Sequence, residues 1–408
     1  MKRYINIVIT ALVVALSACE SDDFNSHDYD TFSVSVSLVD SDGNPFAKEG
    51  LAVRLSSERG VVYTSETNAA GEASFAVPVG IYQASVSSTE IEQGRAYIYN
   101  GVESNIVVNK SSAVKMRVEA SQSGTIIIKE LYVGGCQRND GSGTFQRDKY
   151  VILYNNCGAT VSLSNLSLAF CVPLNAYGIN SNYDTDGKLN YSDEDFLPAG
   201  SAIWTFPEGI TIEPYSEIVI ALNGAIDHTA TYSNSVNLAN AEYYCTYDPL
   251  NYDNTQFYPS PSELIPTSHY LRALKFGDSN EDAWPLSTSS PAFFIFSLTD
   301  ETPQEFVSRS DNFWYDGGVV RASNACKRVP RNCILDGVEV YSSTSTYNEK
   351  RITADVDAGY IFQTPRQGHS LIRKIDKEAT ERAGHNIYVD TNNSTNDFEE
   401  TQRASLAK

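Results

Sequence analysis

The sequence predicts an all-β chain of two successive β-sandwich domains. Three observations carry that expectation. Phe32, Val34, Val36 and Leu38 alternate with Ser33, Ser35 and Ser37, the period-two pattern of a half-buried strand. Short apolar segments then recur between Gly-, Asn- and Pro-rich turns through residue 118, as in a sandwich. Beyond residue 125, compact runs such as Ile126-Ile127-Ile128 and Tyr150-Val151-Ile152-Leu153-Tyr154 supply further strands.

Residues 1–18 read as a secretory signal. Met1-Lys2-Arg3 is basic, the stretch from Ile5 to Leu16 is apolar, and Leu16-Ser17-Ala18 precedes Cys19. The apolar run is too short for an ordinary membrane span. Small residues directly before a cysteine mark a lipoprotein signal, so Cys19 is the expected lipid attachment site, with several acyl chains giving firm anchoring. Glu20-Ser21-Asp22-Asp23 opens an acidic tether, residues 19–30, whose composition cannot make a core. Its acidic start resembles the signal that carries Bacteroides-type lipoproteins to the outer face of the outer membrane.

Residues 31–118 form the first expected domain. Asp40-Ser41-Asp42-Gly43-Asn44-Pro45 is a turn, Leu51, Val53 and Leu55 a strand, and Val61 to Thr64 another. Thr67-Asn68-Ala69-Ala70-Gly71 turns into Ala73, Phe75 and Val77, and Pro78 and Gly80 lead to Tyr82, Ala84 and Val86. Residues 119–124 read as a linker. In the second domain, Val161 to Phe170 and Thr211 to Leu222 add strands, the latter with Pro214-Tyr215-Ser216 as its leading turn. Residues 223–335 are irregular, and so long a structureless loop would be unusual, which predicts additional short strands there. The polar tail from Asp376 is expected to wrap or fray.

Charge narrows the function classes. The formal net charge is −21, and loss of Lys2 and Arg3 with the signal makes the mature chain more acidic still. Such a surface repels nucleic acid, and no basic cluster offsets it. A neutral or basic ligand, or calcium, suits the charge. Of seven cysteines, Cys136, Cys157, Cys171, Cys245, Cys326 and Cys333 remain beside Cys19. In an exported chain six permit up to three disulfides in any of fifteen pairings, or buried thiols. Cys326 and Cys333 are the expected local bridge.

One chemical motif stands out. Asn182, Asp184, Asp186, the backbone of Lys188, Asn190 and Asp193 follow an EF-hand-like loop, with Gly187 at the sharp turn and Leu189 packing inward. The loop is a candidate structural calcium site. Asp193 is shorter than the bidentate Glu usual at its position, and the flanks do not read as helices. Among His27, His228, His269, His369 and His385 there is no His-x-x-His or His-Glu-x-x-His pair, and no Gly-x-Ser-x-Gly elbow occurs. No enzyme is expected. His228 reads as a structural hydrogen-bonding group, and Trp204, Trp284 and Trp314 as core residues that double as candidate ligand contacts.

Two resemblances add to this reading. Thr67-Asn68-Ala69-Ala70-Gly71-Glu72-Ala73 followed by Pro78-Val79-Gly80-Ile81-Tyr82 resembles the prealbumin-like or carboxypeptidase-regulatory-like modules of surface proteins, which implies a spacer role for residues 31–118. Lys129 to Tyr132, Asp148 to Asn156, Ala202 to Pro207, Ile218 to Ala221, Ala225 to His228, Asn234 to Leu238, Gly368 to Lys374 and Asp390 to Phe398 resemble a lamin-tail-like domain over residues 125–400. Together they resemble the DUF4876 family of Bacteroides-type lipoproteins. That resemblance implies a non-enzymatic accessory or binding protein beside TonB-dependent, SusC/SusD-like importers of glycans or peptides. It assigns no site residues. The alternative is a structural or adhesive surface protein, calcium-stiffened and without an importer partner.

Overall fold

The computed structural model describes residues 31–40, 42–92, 95–276 and 281–407. The signal, Cys19, the tether and His27 lie outside the described residues. The fold is all-β, and two compact units divide it: residues up to 86 with 101–118, and residues 87–100 with 119–408. Among the described residues no helix is long and apolar enough to cross a membrane.

The first unit follows directly from alternation. Strands β1 (Thr31–Val39), β2 (Ala52–Ser57), β3 (Val62–Glu66), β4 (Glu72–Pro78), β5 (Gly80–Glu92), β6 (Arg95–Val108) and β7 (Ser112–Gly124) line up as β3-β2-β5-β6-β7-β1-β4. β1 runs antiparallel to β4 and parallel to β7. Val34, Val36, Leu38, Val53, Leu55, Ala73, Val77 and Ala84 point inward and are buried, while their neighbours face water. Two turns are built by one device. Asp40 Oδ1 accepts from the N–H groups of Asp42 (2.9 Å) and Asn44 (2.8 Å), and Asn68 Oδ1 accepts from those of Ala70 (2.9 Å) and Glu72 (3.1 Å). Gly43 (φ +85°) and Gly71 (φ +77°) complete them, in a region of backbone space that favours glycine.

Residues 119–124, expected as a linker, continue the strand β7.

The second unit is organised around a twelve-stranded mixed sheet. Its order is Ile361–Gln363, Ile334–Ser342, Ala292–Ser297, Leu166–Phe170, Ala202–Thr205, Tyr270–Lys275, Tyr244–Thr246, Glu217–Ala221, Tyr150–Asn155, Ile126–Tyr132, Ser370–Arg373 and Phe398–Thr401. Central strands are buried on both faces and read as continuous apolar runs. Along Ala292–Ser297, Phe293 and Ile295 join one core with Trp204 and Leu131, while Phe294 and Phe296 join another with Tyr191 and Phe306. The irregular region does condense into short strands, including Tyr244–Thr246, Tyr270–Lys275 and Ala325–Pro330. The tail wraps. It forms a helix, Lys377–Ala383, with Asp376 as its cap, and then the edge strand Phe398–Thr401. Beyond that strand, Ser405 donates from its backbone N–H (3.0 Å) and its hydroxyl to the buried carboxylate of Glu130, which Tyr150 (2.6 Å) and Ser370 (2.6 Å) also reach.

The disulfide expectation is corrected. Cys136, Cys157, Cys171, Cys245, Cys326 and Cys333 are all buried, and none forms a disulfide. Cys326 lies near the start of the extended strand Ala325–Pro330, and Cys333 in the short turn after it. A strand carries its ends apart by about 3.3 Å per residue, and bridged Cα atoms sit within about 7 Å of each other. Burial pushes the Cys136 and Cys245 thiols up to about 12, so they pack as small apolar groups.

Candidate functional site

The acidic loop 182–193 uses the turn device already met twice in the first unit. Asp184 Oδ1 accepts from the N–H groups of Asp186 (2.9 Å) and Lys188 (2.9 Å), and Gly187 has φ +78°. Tyr183 bridges to Leu189, whose side chain is buried as the motif requires. The other candidate ligands go elsewhere. Asn182 is buried, its Nδ2 donating to Asp316 (2.9 Å) and its Oδ1 accepting from the Gly317 N–H (2.8 Å). Lys188 pairs through its ammonium with Asp193. Asn190 donates its backbone N–H to the Asn182 carbonyl (2.8 Å). Hydrogen bonds within the loop and the Lys188–Asp193 pair thus hold its shape.

The other singled-out residues are structural. Trp204 and Trp284 are buried in the first core and Trp314 packs against the second. His228 is buried, its Nε2 lies 2.6 Å from the Gly224 carbonyl, and burial lowers its pKa although Asp148 opposes the shift. Carboxyls raised by burial are likewise committed. Asp148 accepts from Tyr132 (3.0 Å) and Ser235 (2.5 Å). Asp336 and Asp390 surround Arg373 together with Asp397. An open cleft of about 720 Å³ carries Asp193, Glu194, Asp195, Asp300 and Glu301. Its Arg309 is paired with Glu301 and Asp311, and its Arg331 with Asp355 and the carbonyls of Tyr191 and Ser192.

The feature that sequence reading missed lies at the edge of the large sheet. The edge strand Ile361–Gln363 pairs in parallel with Ile334–Ser342, setting Phe362 opposite Tyr341. Tyr360 lies two residues before Phe362 and so projects to the same side. Its ring stacks on Tyr341 at 4.2 Å between centroids and 13° between planes, and Phe362 meets both edge-on at 5.5 and 6.0 Å. Tyr341 is buried, but Tyr360 is 39% and Phe362 46% exposed. The result is a rigid aromatic ledge open to solvent.

Buried polar groups hold this ledge in place. Asp357 accepts from the N–H groups of Glu339 (2.8 Å), Gly359 (2.9 Å) and Ser394 (2.8 Å), and from the Ser394 hydroxyl (2.6 Å). It thereby ties the neighbouring strand, the loop before Tyr360 and the C-terminal segment together. Thr395 then clasps Tyr360, accepting from its N–H (3.1 Å) and donating to its carbonyl (2.7 Å). Gly359 leaves no room for a Cβ, which would sit 2.0 Å from Asn393 Oδ1. The Lys350 ammonium donates to the Gly359 carbonyl beside Tyr360.

Residues 213–405 match the model of the family described as "Protein of unknown function (DUF4876)". Those residues carry the DUF4876 pattern. This bears out the family resemblance, and the matched residues include the ledge. A crystal structure of a DUF4876 family protein from Bacteroides thetaiotaomicron has a TM-score of 0.60 at 22% identity, covering 92% of this chain and 95% of that one. This likeness is one of fold. A DUF3823 family protein from Bacteroides ovatus aligns over 74% of this chain and 99% of its own, with a TM-score of 0.16 and 7% identity. No curated protein matches the chain.

Proposed function

We propose that this DUF4876-like chain is a non-catalytic binding lipoprotein of the outer membrane, facing the exterior and anchored through Cys19. In this reading it serves a TonB-dependent, SusC/SusD-like importer by capturing glycan or peptide on the aromatic ledge. The observation that carries the reading is the ledge itself, three ordered rings of which two are open to solvent. Rigid aromatic faces bind sugar rings or apolar side chains at low entropic cost. The net negative charge favours a neutral or basic ligand over an acidic one. The commitment of each raised carboxyl to buried partners supports binding over catalysis, which needs acids converging on an open cleft.

The test is recovery of the tagged protein from its native outer membrane in mild detergent. Fixed-ratio recovery with a TonB-dependent channel supports the accessory role and names the ligand class through the channel's cargo. Recovery alone sinks the importer partnership. Ligand affinity unchanged by Tyr360→Ala with Phe362→Ala would remove the ledge from the reading.

A further inference from the structure

The first unit has an apolar end, and it is the end at which the tether joins. Thr31, the first residue of β1, pairs with Pro78 at the β4–β5 turn. Ser57 pairs with Tyr82, which brings the β2–β3 turn beside it. The β6–β7 turn lies there too, because Ser112 pairs with Val34 and Ser111 accepts from the Ser33 N–H (3.3 Å). These three turns and the strand ends beside them expose Val61 (51%), Val62 (53%), Val79 (65%), Ile81 (40%) and Val107 (61%). Between the first two runs an open groove of about 500 Å³, floored by Tyr63 and Tyr82. In a chain with a net charge of −21, the described turns at this end carry Arg59 and Lys110 against Glu58.

Isolated exposed apolar residues are ordinary; five on adjoining turns and strand ends form a patch that needs a partner. The tether indicates which one. The segment from Cys19 to Thr31 spans at most about 40 Å when fully extended, so lipid on Cys19 keeps this end near the bilayer. The opposite end carries the Asp40 and Asn68 turns, whose exposed residues are polar or small. Apolar side chains flanked by cations suit the headgroup–acyl boundary.

We propose that this end of the first unit is a lipid-facing surface, with Val61, Val62, Val79 and Ile81 entering the boundary of the bilayer that holds Cys19. The inference rests on the lipoprotein reading. Its consequence is that the first unit docks on the membrane instead of hanging from a free tether.

The test uses the full lipidated chain in phosphatidylethanolamine–phosphatidylglycerol vesicles with brominated acyl chains. Environment-sensitive fluorophores are placed singly at Val61→Cys, Val79→Cys and, at the opposite end, Ala69→Cys. The native thiols of the mature domains are buried and the new ones exposed, so labelling is selective. The expected result is bromine quenching at 61 and 79 and none at 69. Equal, negligible quenching at all three positions, with lipid on Cys19 verified by mass spectrometry, overturns the docking while leaving the anchor intact. Protection of 61 and 79 without quenching assigns the patch to a protein and overturns the lipid assignment. Absence of lipid on Cys19 overturns both readings.

Discussion

The two units bury different chemistry. In the first, Thr67 is the buried polar side chain among the described residues, with its hydroxyl donating to the Lys48 carbonyl at 2.6 Å. The second buries Arg351, Arg373, Lys149, Lys327, Glu130, Glu339 and Asp336. Arg351 and Glu339 are fully buried and joined at 3.0 and 2.7 Å, and Arg351 also donates to the carbonyls of Pro173, Leu174 and Ser290. Arg373 donates to Asp336, Asp390 and Asp397 and to the carbonyls of Ile128 and Val389. A small sandwich is held by area alone. A broad sheet with long connections is pinned where its loops cross it, and the pins are ionic. Such pairs add little net stability over well-packed apolar residues, but breaking one strands a charge in the interior.

That contrast can be broken most forcefully at Arg351. Arg351→Ala leaves Glu339 buried without its cation, and the expected loss is about 3–5 kcal/mol. In calorimetry it lowers the transition of the second unit and leaves that of the first in place; a common shift of both would refute separate stabilisation. In the first unit the equivalent blow is a cavity. Leu55→Ala is expected to cost about 2–5 kcal/mol, read as a lowered denaturant midpoint for that unit only.

Proton linkage distinguishes the units more gently. Burial raises Asp336 to about 7 and raises Asp390 too, against the pull of Arg373. The unfolded chain releases the Asp336 proton near 3.8, whereas the folded chain keeps it to about 7. The cluster's contribution is therefore complete below the unfolded value and declines as pH rises to about 7. Chemical unfolding across that window should show the second unit weakening while the first stays level. A level profile for both would mean that Asp336 is ionised throughout.

The smallest effect is expected at the shared turn. Asn68→Ala removes two backbone hydrogen bonds and should cost roughly 0.5–1.5 kcal/mol. Asp184→Ala should lower stability in the same direction with or without calcium if its loop is a turn alone. Calcium that raises the wild-type melting temperature but not that of Asp184→Ala would instead establish the cation site expected from sequence.

These loops show how far the residues speak for themselves. Asp-x-Asp-Gly places an acceptor and a positive-φ glycine at fixed spacing, which a calcium loop and a hairpin turn both require. The pattern at 184–187 is shared by 40–43, where no cation was expected. Asn182 is what sets the later loop apart, and its partners Asp316 and Gly317 are far along the chain. Strands with one wet face, such as β1, were legible because burial alternates. The buried ion pairs were not, since Arg373 in Ser370–Arg373 carries no local sign of Asp336. The ledge stayed hidden for the same reason. Tyr341 and Tyr360 meet only because two strands pair in parallel, a register that neither segment encodes alone.

The bond from Ser405 to Glu130 has a bearing on the order of events in the cell. The carboxylate lies in Ile126–Tyr132, the first strand of the large sheet, and that strand's other neighbour, Ser370–Arg373, also comes late in the chain. Contacts of such sequence separation form slowly and late. A polypeptide threaded through a translocation channel from its N-terminus would have its small sandwich outside first. The larger unit would stay without the two strands beyond Ile126–Tyr132 at that edge of its sheet until almost the last residue had crossed. On the lipoprotein reading proposed above, export would thus precede folding of the larger unit, and the wide sheet would not close on the wrong side of the membrane.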